Sequence, residues 1–328
     1  MYELIALAVI IGWIAISLIY GFIKSMKSKC AEDWFIAGGR LGLIALWLSL
    51  GANIYSSYTF LGLPGITIRE GFTAFTIILY GMIAYVIGYW MVPLLWRAAR
   101  KHGWLTLADA YKDLYNSKLM GAYVALTSSI WCIPYIQLQL QGMGYIIEAS
   151  SYGLMNREVS IIVSFTLLTI IVMIGGLTSV AAINVLQGAI MFIAIWFLGL
   201  ASPIIAFGSY SKMFEIIASS NIPENLKFHI TPTLSDYLYL YTTITIAPLG
   251  FWLWPNRIQN VFGGRDEKVV KKNMVLTGIF QLSQIPAVLV GLTVVAMYLT
   301  GVVNDPIYEK EFADKGFMIL ATRLYNPI

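Results

Sequence analysis

Gly51-Ala-Asn-Ile-Tyr-Ser-Ser-Tyr-Thr-Phe-Leu-Gly-Leu-Pro-Gly65 decides the fold, because it sets a polar centre and a helix-breaking end inside an otherwise apolar run. Asn53, Tyr55, Ser56, Ser57, Tyr58 and Thr59 occupy the middle of a segment, residues 43–66, long enough to cross a bilayer core of roughly 30 Å. Pro64 lacks a backbone donor, and Gly62 and Gly65 loosen the turn. The segment is therefore expected to unwind where its carbonyls can face a cavity. A Pro-kinked, Ser-rich packing helix is the other reading of the same residues.

Outward from this segment, apolar runs recur at residues 4–24, 72–96, 119–148, 158–176, 182–207, 237–256 and 274–302. With the first segment they make eight predicted spans. The 328 residues are 59% apolar and 12% charged, which excludes a soluble globular domain. In hydrocarbon every backbone polar group must be satisfied internally, and these runs are too long and too uniformly apolar for barrel strands. The expected class is an all-α polytopic membrane protein with the lipid bilayer as its surroundings. Leu4 to Ile23 has neither a basic lead-in nor a small-residue cleavage site, so it is read as a membrane helix. Cys30 and Cys132 supply no disulfide framework and no thiolate cluster.

The net charge of +4 does not point to nucleic acid, because the basic residues sit in short clusters between apolar runs. Alternating the loops places 14 of the 21 Lys and Arg residues on one side, among them Lys24, Lys27, Lys29, Arg100 and Arg257. The positive-inside rule then puts the N-terminus outside a multi-pass protein of the cell membrane. The connection from Gly208 to Asp236 divides the chain into halves. Just after it, Pro248-Leu-Gly250 and Trp254-Pro-Asn256 interrupt the seventh run. Broken helices in corresponding places of two halves are the best sequence pointer to a midplane substrate and ion site.

Gln137, Gln139 and Gln141, Asn184 and Gln187, and Gln281 and Gln284 lie within other spans, where each either lines a pathway or bonds between helices. His102 and His229 fall in loops and are read as solvated. The chain has no paired-histidine metalloprotease motif, nucleophile elbow, phosphate-binding loop or Cys cluster, so an enzyme is not expected.

Four stretches together resemble the sodium:solute symporter family, which includes proline, pantothenate and sugar symporters. Ala31-Glu-Asp-Trp-Phe-Ile-Ala-Gly-Gly-Arg40 with Leu41-Gly42, running into Gly51–Gly65, resembles the first core helix and its lead-in. Ile133-Pro-Tyr-Ile-Gln-Leu-Gln-Leu-Gln-Gly-Met-Gly144 resembles the third. Gly175-Gly-Leu-Thr-Ser-Val-Ala-Ala-Ile-Asn-Val-Leu-Gln-Gly188 resembles the loop into the fifth, and Trp254-Pro-Asn-Arg-Ile-Gln-Asn-Val-Phe-Gly-Gly-Arg265 the end of the sixth.

The resemblance implies a leucine-transporter-like inverted-repeat fold. An extra helix (4–24) would precede a first five-helix repeat (43–207) and an incomplete second repeat (237–328), with core helices one to seven present. It further implies cation-coupled symport of a small organic solute such as an amino acid or organic acid. Sodium would be held by the carbonyls of Ala52 and Tyr55, and the solute would lie beside Ser56, Thr59, Phe251 and Pro255. The absence of an acidic residue over Phe75 to Leu79 tilts the solute away from sugars.

Two positions depart from the family pattern: Asn184 stands where many members have an acid, and Asn260 where many have arginine. The family completes its ion site with paired hydroxyls on the eighth core helix, and Gly316 to Ile328, with Asn326-Pro327, resembles the loop before that helix. The chain is thus expected to be truncated, to need a separately encoded C-terminal part, and not to accumulate solute alone. A non-transporting sensor or an inactive symporter fragment is the alternative from a different class.

Overall fold

In the computed structural model, residues 2–26, 30–223 and 225–325 are described. Lys27, Lys29 and Asn326-Pro327 lie outside them. Among the described residues there are fifteen α-helices, and the only extended pairing is an isolated bridge between Leu41 and Gly264. Among the described residues, five stretches are long and apolar enough to span a bilayer. In this multi-pass protein the predicted 43–66 and 237–256 spans are broken into shorter helices, and the 158–176 and 182–207 spans run on as one stretch with a kink at Gly176.

The first helix, α1 (Tyr2–Ser25), has 24 residues and rises about 36 Å. It is followed by α2 (Ala31–Ile36), a left-handed turn through Ala37 to Gly39, and α3 (Leu43–Ile54). The predicted unwinding occurs at Tyr55 and Ser56, after which a π turn over Tyr58–Gly62 leads into α4 (Leu63–Glu70). Pro64 does not cause the break: it sits in the first turn of α4, where its missing N–H costs nothing.

Next come α5 (Phe75–His102), α6 (Leu107–Leu114) and α7 (Lys118–Ser150). The start of α6 is fixed by a capping box in which Thr106 and Asp109 satisfy each other's backbone donors. The fifth and sixth predicted spans lie in α8 (Arg157–Phe207), 51 residues, which is two helical arms either side of a non-helical Gly176. Straight, it would measure about 75 Å, more than twice a bilayer core. It turns at Gly176, whose φ of 52° and ψ of −145° only glycine adopts freely. A Cβ there would meet the Trp34 carbonyl oxygen at 2.3 Å.

The 208–236 connection holds a helix of its own, α9 (Tyr210–Ser219). The seventh run becomes α10 (Leu234–Gly250), a 3-10 turn over Phe251–Leu253, and α11 (Pro255–Phe262). The last elements are α12 (Glu267–Phe280), α13 (Ile285–Leu299), α14 (Lys310–Asp314) and α15 (Gly316–Leu324).

The chain forms two compact units. The first comprises Met1–Ile54, Ile83–Ala189 and Ala247–Phe280. Its core holds Leu46, Leu50, Ile258 and Phe262, with the Trp47 ring edge-on to Phe280 at 5.7 Å. Gly51 is where Phe280 packs, since a Cβ there would lie 2.9 Å from the ring. The second unit comprises Tyr55–Met82, Ile190–Ile246 and Gln281–Ile328. It centres on α13, where Val288, Val290, Val294 and Val295 are buried and Gly291 meets Thr67 of α4.

Candidate functional site

The break after α3 interrupts the helical hydrogen-bond ladder at Tyr55–Ser56, and the Ser56 carbonyl accepts from Thr59 N at 2.9 Å and Phe60 N at 3.2 Å. Ala52 belongs to the last turn of α3 and Tyr55 begins the break. Tyr55 is 4% and Thr59 2% exposed, whereas Ser56 is half-buried. The Tyr55 ring packs at 5.8 Å from Phe60. Among the described residues no group of three His, Cys, Asp or Glu could hold a metal. Carbonyl and hydroxyl oxygens are what the break offers, and these fit a hard alkali cation rather than a transition metal.

The second break has a different cause. Trp254 is extended (φ −70°, ψ 119°), as a residue before proline prefers, and Pro255 opens α11. Phe251 is buried, with its ring 5.4 Å from Tyr85, while the Trp252 indole donates to the Ala84 carbonyl at 2.8 Å. Pro255 and Trp254 wall a cavity of 570 Å³, and Tyr123, Thr127, Ser128 and Cys132 also line it; small-molecule sites run to about 300–1,000 Å³. The break thus sets Phe251 in packing and Pro255 against open space.

Within the first unit, α3 and α11 are joined by a ladder of neutral polar groups. The Ser49 hydroxyl donates to Asn260 Oδ1 at 2.6 Å, and Asn184 Nδ2 donates to the same hydroxyl at 3.4 Å. Asn256 Nδ2 donates to Asn53 Oδ1 at 3.3 Å, and Asn260 Nδ2 to the Asn256 carbonyl at 2.8 Å. Sequence reading noted Asn184 and Asn260 separately and missed that Ser49 joins them; residues 211 positions apart leave no local pattern to find.

Of the glutamines noted within spans, Gln187, Gln281 and Gln284 are bonded between or within helices. Gln187 donates to Ser17 at 3.4 Å, and Gln284 bonds to Gln281, both buried. Gln137 is exposed, and Gln139 and Gln141 are half-buried.

Two basic residues counted as loop charges have built surroundings instead. Arg257 stands in the first turn of α11, and its guanidinium lies 3.6 Å over the Phe251 ring while Nη1 donates to the Phe251 carbonyl at 2.8 Å. Arg100 donates through Nη2 to the carbonyls of Gly39, Gly264 and Phe262 at 2.9, 3.1 and 3.4 Å. Beside it, Leu41 and the Gly263–Arg265 turn exchange backbone bonds at 2.9 Å.

His102 is exposed as expected, at the end of α5 rather than in a loop, whereas His229 is half-buried and bonded. His102 stacks on Trp104. His229, in the second unit, bonds through Nε2 to Asp236 at 2.8 Å, and its carbonyl accepts from Phe72 N at 3.0 Å.

The sodium:solute symporter family profile matches residues 34–328. An uncharacterized symporter of Bacillus subtilis, YhjB, is 30% identical over 98% of this chain and 64% of its own length. A monocarboxylate transport permease protein of Rhizobium johnstonii is 25% identical over 84% of this chain and 56% of its own. The chain therefore spans less than two thirds of the length of these relatives. The solved structure of a substrate-bound, outward-open Na+-coupled sialic acid symporter superposes with a TM-score of 0.78 at 18% identity, covering 100% of this chain and 68% of that one. The fold is thus the leucine-transporter-like fold of that symporter.

Proposed function

This chain belongs to the sodium:solute symporter family, a family of transporters rather than enzymes, and from that premise we propose that it carries out sodium-coupled symport of a small organic acid or amino acid. The observation that carries this reading is the pair of broken helices, α3 at Tyr55–Ser56 and α10–α11 at Phe251–Trp254. Unwound backbone at membrane depth is tolerated where it lines a cavity or is buried in protein, and such breaks hold ions and solutes in transporters.

Sodium is assigned to the carbonyls of Ala52 and Tyr55. The solute is assigned to the neighbourhoods of Ser56 and Thr59 and of Phe251 and Pro255. The two halves, 43–207 and 237–328, act as inverted repeats that rock against one another, in a cell membrane with the N-terminus outside. A separately encoded C-terminal part is the proposed source of the paired hydroxyls on the family's eighth core helix. Organic acids are favoured over sugars by the monocarboxylate relative.

The test is initial-rate uptake of radiolabelled lactate, propionate and proline by cells carrying the gene, their deletion strain and the complemented strain, in sodium and in choline medium. Sodium-dependent uptake that is lost on deletion and restored by complementation supports the reading. Uptake indifferent to the gene favours the sensor alternative.

A further inference from the structure

A cavity of 400 Å³ lies within the first unit, between α1, α7 and α8, and shares no lining residue with either break. Trp13 and Ser17 wall it from α1, Ile146 and Ile147 from α7, and Ser164 and Gln187 from α8. Its stretch of α1, Val9 to Leu18, straddles the midpoint of that helix, which puts the cavity near mid-bilayer. Val9, Ile146 and Leu168 at its rim are exposed, so its mouth opens toward hydrocarbon, whereas Ser17, Ile147, Ser164 and Ile171 are buried.

One group in this wall is left unmatched. Ser164 is 3% exposed, and its hydroxyl has no hydrogen-bond partner. A hydroxyl inside a helix can bond the carbonyl four residues back, and those of Thr127, Ser129, Ser160 and Ser202 in α7 and α8 do so. Ser164 forgoes that bond while lining the cavity. A buried hydroxyl without a partner is costly, so a ligand that fills the space and meets it relieves a cost the empty site carries. Ser17 and Gln187 are already joined, Gln187 Nε2 donating to Ser17 Oγ at 3.4 Å.

The lining specifies the ligand. Among the described residues no charged side chain lines the cavity, so an ionised group would stand there unpaired. The volume falls within the range of small-molecule sites, about 300–1,000 Å³, and is smaller than a two-tailed phospholipid. An alcohol complements Ser164, because either hydroxyl can donate to the other. We propose that this cavity binds a neutral, membrane-dissolved alcohol, its hydroxyl on Ser164 and its hydrocarbon body among Ile147, Leu168 and Ile171. Such a ligand ties α1 to both arms of α8, since Ser164 precedes Gly176 and Gln187 follows it. The proposal goes beyond the symport reading and does not depend on it.

The experiment photolabels the full chain in lipid nanodiscs with a diazirine-bearing tetradecanol and maps the labelled residues by mass spectrometry. Saturable labelling is expected within residues 9–18, 143–147 and 164–171. Unlabelled tetradecanol should compete at concentrations about threefold to tenfold below those of tetradecane, the worth of one neutral hydrogen bond. Ser164→Ala should keep the labelling and lose that preference. Ser129→Ala, which removes a hydroxyl already bonded to its own helix, should keep both. Unchanged elution of the two variants shows that they fold.

The inference is overturned if the label spreads evenly over the exposed helix faces, if tetradecane competes as well as the alcohol, or if Ser164→Ala retains the preference. Labelling confined to the cavity that neither compound displaces would assign the space to phospholipid chains and overturn it equally. None of these outcomes bears on sodium-coupled uptake, which the uptake assay reads separately.

Discussion

Asn184 and Asn260 meet on one hydroxyl: Ser49 receives a hydrogen bond from Asn184 Nδ2 at 3.4 Å and gives one to Asn260 Oδ1 at 2.6 Å. The two amides singled out by the resemblance are therefore linked through one hydroxyl. A charged pair and a neutral amide pair are alternative ways to satisfy the same buried spot, where Ser49 is fully buried and Asn260 is 2% exposed.

That relationship predicts a compensating pair. Asn184→Asp and Asn260→Arg should each destabilise the protein by about 3–5 kcal/mol, the range for an unmatched buried charge. The double variant should recover at least half of the summed loss. Melting temperatures of the four proteins in one detergent decide it, and additive losses would contradict it.

Gly176 predicts a conformational requirement. Gly176→Ala forces a side chain into φ 52°, ψ −145° and against the Trp34 carbonyl. The cost should reach about 1–3 kcal/mol from backbone strain alone. Gly12→Ala, where nothing lies within 4 Å, should cost nothing and serves as the control. Folded yield and melting temperature read both.

Arg100 predicts a local unlocking. Its Nη2 ties together the carbonyls of Gly39, Phe262 and Gly264. Arg100→Gln should cost about 1.5–3 kcal/mol, the range of a hydrogen bond to a charged donor. It should also speed hydrogen exchange at the amides of Leu41 and Arg265, which pair beside it. Unchanged exchange there would contradict the assignment.

The 208–236 connection predicts a pH dependence. Burial opposes the charge on His229, but the Lys227 carbonyl and the Asp236 carboxylate outweigh it and raise its pKa above 6.5. Hydrogen bonds from the Thr233 side chain and backbone, with His229 itself, lower Asp236 from 3.8 to about 2. The histidine contribution is complete below pH 6.5 and fades as pH rises through its higher folded value; the aspartate contribution is complete above 3.8 and fades toward 2. Glu70 adds to the field on His229 from the end of α4. Protection factors over residues 225–240, taken after correction for the intrinsic pH dependence of amide exchange, should be higher at pH 5.5 than at pH 8.5 by about twofold to fivefold, the strength of an exposed ion pair. His229→Gln should remove the difference.

Much of the fold was legible because bilayer length and apolar runs are properties of short windows: α1, α5 and α7 lie close to the predicted spans. The break in α3 was legible too, although its position at Tyr55–Ser56 owes more to the polar centre than to Pro64. The division between the fifth and sixth spans was legible as well, since the helix is interrupted at Gly176, the end of the predicted 158–176 span. At the site, Phe251 and Pro255 were named, but the folding back of Arg257 was not, since sequence position alone grouped it with the basic turn at Arg265.

The central claim is that the break in α3 holds the coupling ion, and sodium-dependent hydrogen exchange across residues 50–62 tests it most directly. The chain in nanodiscs is compared in sodium and in choline at equal ionic strength. If the carbonyls of Ala52 and Tyr55 bind sodium, peptides covering the break exchange more slowly in sodium, with the half-effect at a definite concentration. Identical exchange in the two salts at every concentration would contradict it.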